Sequence, residues 1–145
     1  MHTEHLSNVG FASILVGWLI AVAVTSLLVF LFTAAGWMSS TGDAGTAWAV
    51  VAVAIGFLAG GYLTGTRDIE APILHGVGIG LTTLVAWFVI NALATFFVDA
   101  TSYTGLGATA TAGLLLLQMI AAVIGAWIAD RRALRGEDLP GERLG

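Results

Sequence analysis

Long apolar runs parted by short polar stretches set the pattern of this chain. The runs cover residues 9–33, 47–64, 72–97 and 108–128, and none contains Asp, Glu, Lys or Arg. A helix rising about 1.5 Å per residue needs roughly 17–25 residues to cross a hydrocarbon core of ~30 Å, which is the length of these runs. Apolar positions do not alternate with polar ones as in a half-buried strand, and no continuous polar stripe marks a water-facing side. The pattern predicts an all-α fold: a polytopic integral membrane protein of four transmembrane helices. Residues 9–129 form the bundle, between a short polar leader at 1–8 and a polar tail at 130–145.

The interruptions fix where the chain turns. Residues 36–46, GWMSSTGDAGT, are rich in Gly, Ser and Thr and predict a first loop. Trp37 and Trp48 flank it, as expected of indoles at the headgroup level. Residues 65–71 make a short charged turn with Arg67, Asp68 and Glu70, and residues 99–107 a third loop around Tyr103. Pro72 suits the first position of a helix, where its missing N–H costs nothing. Asp130-Arg131-Arg132 closes the last run, with Trp127 one turn before, and Gly136 and Pro140 break the tail. Asp130 beside Arg131 suggests an interfacial ion pair. A secretory signal would want a basic start and an apolar core of about 7–15 residues, so residues 9–33 read as a retained first span despite Thr33-Ala34-Ala35-Gly36.

The two halves resemble each other. Ile14-Leu15-Val16-Gly17 with Ile20-Ala21 aligns with Ile73-Leu74-His75-Gly76 and Ile79-Gly80, and Gly60 through Arg67 aligns with Gly125 through Arg132. Each half is a helical hairpin that returns to its starting side, so the expectation is two tandem hairpins related as a parallel repeat.

Small residues recur at four-residue spacing: Gly17 and Ala21; Ala52, Gly56, Gly60 and Thr64; Gly76 and Gly80; Ala121, Gly125 and Ala129. Helices in lipid gain nothing from excluding water, so they associate by close backbone approach, which such stripes allow. Packing within the chain is the plain reading and a dimerisation face the sharper one. Gly61 and Gly65 add a second stripe, giving the second helix neighbours on two sides.

Composition narrows the class further. Of 145 residues 58% are hydrophobic and 10% charged, against about 25% charged in a soluble domain. No cysteine is present, which removes disulfides and thiolate chemistry. All five basic residues are arginine, and with 19 glycines this points to a GC-rich prokaryotic genome and a plasma membrane. Arg67, Arg131, Arg132, Arg135 and Arg143 all fall in the second turn or the tail. The positive-inside rule then places both termini in the cytoplasm. The net charge of −4 argues against nucleic acid as a partner. The expected partners are the lipid bilayer and other membrane helices.

Chemistry-bearing side chains are few. His75 is the one histidine beyond His2 and His5 of the leader, and lies one turn into the third span. It is a candidate proton shuttle or ligand, but without visible partners it reads first as a packing residue bonded to a backbone carbonyl. Asn91 and Gln118 are the strongest polar groups inside the spans, and read first as hydrogen-bonding glue between helices. Alternatively His75, Asn91 and Gln118 form a polar lining, with Thr82 and Thr83 completing a narrow solute path. No carboxylate lies deep in a span, no catalytic pair is visible, and no cofactor or metal is implied.

The sequence GGYLTGTR leading into the charged turn, and APILHGVGIGL leaving it, resembles the YrzE-like family of small four-helix bacterial membrane proteins of unknown function. The likeness covers residues 60–81, with the His75-Gly76 pair. It implies a four-span bundle and no catalytic residue. The expectation is therefore a non-enzymatic protein acting through helix packing, as a homo-oligomer or an accessory subunit. A small channel or uncoupled facilitator is the alternative, and a membrane enzyme the third reading.

Overall fold

A computed structural model of the chain describes residues 10–38, 43–67, 71–97 and 108–137. The leader, Asp68, Glu70, Asp99, Tyr103, Pro140 and Arg143 lie outside the described residues. The described chain is all-helical: α1 (Phe11–Ala34), α2 (Asp43–Arg67), α3 (Pro72–Phe97) and α4 (Ala108–Glu137). Each helix is long and apolar enough to cross a membrane, as a chain in lipid must be to satisfy its backbone polar groups internally. Only 17% to 28% of each apolar window is buried inside the bundle. Phe30, Phe88, Ile90 and Phe96 point outward. An exterior this apolar is lipid-facing, and the chain is a small multi-pass membrane protein.

Helix ends follow local chemistry. Pro72 is the first residue of α3, and the His75 N–H closes the first turn onto Ala71 O at 3.1 Å. After α1, Gly36 adopts φ +76, its N–H bonds Thr33 O at 3.0 Å, and the Trp37 N–H bonds Phe32 O at 2.9 Å. This is a Schellman ending, in which a left-handed glycine lets the chain cover two terminal carbonyls. Its usual apolar contact is also present, Trp37 against Phe32 with ring centroids 5.5 Å apart. Two helices outrun their apolar segments. α2 begins at Asp43, and α4 continues through Asp130, Arg131 and Arg132 to Glu137, where a polar tail was expected. Residues such as Ala133, Leu134 and Arg135 are good helix formers, and basic groups suit a helix C-terminus.

α2 lies at the centre, packed on α1 and on α4, while α3 packs on α4. Gly61 meets Ala122 and Gly65 meets Ala126, so α2 and α4 run in the same direction. The buried cluster joins Ile14 and Ala21 of α1, Phe57 of α2, Ile79 of α3 and Ala121 and Ala122 of α4. Burial is uneven along the bundle. Most buried residues lie toward the start of α1 and α3 and the end of α2 and α4. Toward the opposite end fewer residues are buried, although Phe32 of α1 still meets Trp48 of α2.

Candidate functional site

The tight end is built from small residues. An added Cβ at Gly17 would meet Thr64 and, at 2.8 Å, Ile79 Cδ1; at Gly60 it would meet Gly17 O at 2.5 Å and Ala21 Cβ at 2.8 Å. Gly56 lies against Thr25 and Ala21 O. The stripe through Gly56, Gly60 and Thr64 thus faces α1, with Ala52 buried one turn before it, while Gly61 and Gly65 face α4. On the other hairpin, Gly76 lies 2.8 Å from Val123 Cα by the same measure, and Gly80 lies against Met119. Gly125 faces Leu58 O and the Tyr62 N–H, and Ala121 is buried in the core.

One pair of these contacts is reciprocal. Gly61 lies on the carbonyl of Ala122 and Gly125 on the carbonyl of Leu58, so adding 64 to the number of each α2 residue exchanges the two contacts. The sequence alignment matched Gly125 with Gly60 instead. Gly60 faces α1, so its geometric counterpart is not Gly125; adjacent stripes of small residues look alike in sequence and differ only in the neighbour they meet.

His75 is fully buried at this end. Its Nδ1 donates to Ala71 O at 2.7 Å, and its Nε2 accepts the Gly10 N–H at 3.1 Å. The pair of bonds fixes the tautomer with the proton on Nδ1. The imidazole therefore ties the residue before α1 to the start of α3, a role in which both ring nitrogens are used.

Toward the less buried end lies a cavity of about 430 Å³, reached by all four helices. Trp18, Phe57, Trp87, Ile90 and Leu114 supply its apolar wall; Thr25, Ser26, Thr83, Asn91, Thr111 and Gln118 supply polar groups. The Trp18 indole N–H donates to Thr83 Oγ1 at 3.1 Å. Thr82 is not in the lining; its hydroxyl donates to Gly78 O at 2.9 Å. Gln118, Asn91 and Thr83 are thus brought together, and Thr82 is not. Among the described residues no hydrogen bond from either amide to another helix is found. Asn91 Nδ2 donates to Trp87 O of its own helix at 2.8 Å. Among the described residues Gln118 Oε1 is buried without a hydrogen-bond partner, and so is Thr25 Oγ1, which lies against Gly56. Sequence reasoning passed over Thr25, although it follows Gly17 and Ala21 at the same four-residue spacing.

Aromatic and basic residues mark the two ends. Trp37 and Trp48 are part-exposed and stack at 4.8 Å, both against Phe32. At the tight end Arg131 lies 4.0 Å over the Trp127 ring. Arg132 covers Tyr62, and its Nη1 donates to the phenol oxygen at 3.2 Å. Both guanidinium groups turn to rings, so the expected Asp130–Arg131 ion pair does not form; a flat, weakly hydrated cation stacks well on an aromatic face. Arg67 is exposed at the end of α2.

No protein-family model, curated protein or solved structure matches the chain.

Proposed function

We propose that this is a non-enzymatic membrane protein that acts through helix packing, as a homo-oligomer or as an accessory subunit of a larger membrane complex. The supporting observation is the outer face of α4. A Cβ added at Gly113 would meet nothing within 4 Å, and Thr109, Ala110 and Ala112 around it are exposed. The glycines of the tight end are occupied by neighbouring helices of the same chain. Gly113 instead offers a place where a further helix can approach the backbone closely, as small residues permit in lipid. The reciprocal contacts of Gly61 and Gly125 favour a tandem pair of hairpins. The distribution of arginines favours a prokaryotic plasma membrane with both termini in the cytoplasm.

Extraction in a mild detergent followed by mass measurement tests this reading. The expected result is an assembly larger than one chain that dissociates in the Gly113→Ile variant. A lone chain from the unaltered protein refutes it. A second reading, an uncoupled solute facilitator, draws on the shared cavity of Gln118, Asn91 and Thr83. Solute flux into protein-containing vesicles, lost on substitution of Gln118, would favour it over the first.

A further inference from the structure

We infer that the groove between the start of α1 and the end of α2 holds one anionic phospholipid, its phosphate received by Arg67 and an acyl chain lying along Val16, Ile20 and Leu63. The groove has a volume of about 150 Å³ and is lined on α1 by Ser13, Val16 and Ile20 and on α2 by Leu63, Thr64 and Arg67. Helix packing sets the level of each residue. Gly56 lies against Thr25 and Ala21, and Gly60 against Ala21 and Gly17, so α1 and α2 are antiparallel, and each turn onward in α2 meets one turn earlier in α1. Arg67, two turns beyond Gly60, therefore stands level with the first turn of α1, where Ser13 lies. Leu63 and Thr64 stand one turn deeper, beside Val16 and Gly17. Polar groups occupy the outer rim of the groove and apolar ones run inward, which is the polarity of a phospholipid from headgroup to chain.

Arg67 differs from the other arginines placed at this end. Arg131 stacks on Trp127 and Arg132 covers Tyr62, whereas among the described residues Arg67 has no ring, carboxylate or hydrogen-bond partner. It is exposed and lines the groove. A guanidinium offers parallel N–H donors that match two phosphate oxygens. Thr64 is not available to the same anion, because it is buried and its hydroxyl donates to Gly60 O at 2.8 Å. The first turn of α1 carries no acidic residue, so the positive end of its dipole adds to the field of Arg67. Val16 and Leu63, 40% and 38% exposed, present the apolar surface that a chain covers. The charge of the rim selects the lipid: a zwitterionic headgroup brings its own cation beside Arg67, and an anionic one does not.

The test titrates the full chain in mild detergent with dioleoylphosphatidylglycerol or dioleoylphosphatidylcholine, which share chains and phosphate and differ in net charge, and counts bound lipid by native mass spectrometry. One phosphatidylglycerol per chain is expected, held about three- to tenfold more tightly than phosphatidylcholine, the contribution of one arginine at a membrane surface. Arg67→Gln should bring the two lipids to equal affinity. Arg131→Gln removes a guanidinium already stacked on Trp127 and should leave the preference in place. Val16→Trp keeps Arg67 but fills the groove, and should weaken both lipids. Arg67 and Val16 are exposed, so neither substitution disturbs the buried core. Equal affinity for the two lipids in the unaltered protein overturns the inference, as does a preference that survives Arg67→Gln or falls equally in Arg131→Gln. Unchanged binding in Val16→Trp removes the chain from the groove and overturns it as well. Displacement of the lipid by an equal concentration of glycerol phosphate, the headgroup without its chains, also overturns it and assigns the rim to a free anion.

Discussion

Gly61 is where the packing is least able to give, and the consequence of filling it can be worked from the structure. A Cβ at this position would run into the carbonyl oxygen of Ala122, with the carbonyl carbon at 2.7 Å and Cα at 2.8 Å. These are backbone atoms of a neighbouring helix, so no side-chain rotation relieves the clash. Reaching ordinary contact requires α2 and α4 to part by about 0.6 Å or more, and a radial gap of roughly 0.5–1 Å forfeits a quarter to a half of the dispersion energy of each contact. Gly61→Ala is therefore expected to destabilise the bundle by about 1–3 kcal/mol, the usual range for overpacking. Leu19→Ala is the control, because Leu19 is exposed on the outside of α1 and surface substitutions away from packed contacts change stability by only about 0.5 kcal/mol. Unfolding by sodium dodecyl sulfate in mixed micelles, followed by circular dichroism, measures both. Gly125→Ala strains the same interface from the other side, so the double variant with Gly61→Ala should cost less than the two singles together. Equal stability of Gly61→Ala and the parent chain would refute the packing argument, as would a loss in Leu19→Ala of the same size.

Three other outcomes follow from single contacts. His75→Leu keeps a similar volume but removes the bonds to Gly10 and Ala71; it is expected to cost about 1–3 kcal/mol in the same unfolding assay, and a change within experimental error would deny the imidazole its tying role. Gln118→Leu replaces an unpartnered buried acceptor, so it should unfold no more readily than the parent and gain up to ~1 kcal/mol; a marked loss of stability would mean that the amide has a partner in the membrane. For orientation, Ser40→Cys should react with an impermeant thiol reagent added outside intact cells and Gly136→Cys only after permeabilisation, and the reverse pattern would invert the proposed topology.

Much of the architecture could be read from residue pattern because lipid imposes simple rules. Uncharged runs of spanning length must be helical there, and Pro72 marked the start of α3 to the residue. The two stripes on α2 were also legible, since four-residue spacing puts Ala52, Gly56, Gly60 and Thr64 on one face and Gly61 and Gly65 on the next. Where a polar segment replaced an apolar one the sequence was a poorer guide. α4 continues past Asp130 because helix formation depends on propensity and hydrogen bonding, whereas the membrane boundary depends on hydropathy, and the two need not coincide.

The sequence by itself determined that this chain is helical, that it spans a membrane, and which faces of its helices are small enough for backbones to meet. Tertiary structure alone decided which stripe meets which helix, setting Gly60 on α1 and Gly61 on α4. It gave His75 its two backbone partners, 65 residues apart in one case, and gathered Thr25, Asn91 and Gln118 around one cavity. The reason is that periodicity is a property of one helix in its solvent. A buried acceptor or an empty space is a relation among several helices, fixed only when their backbones have packed against one another.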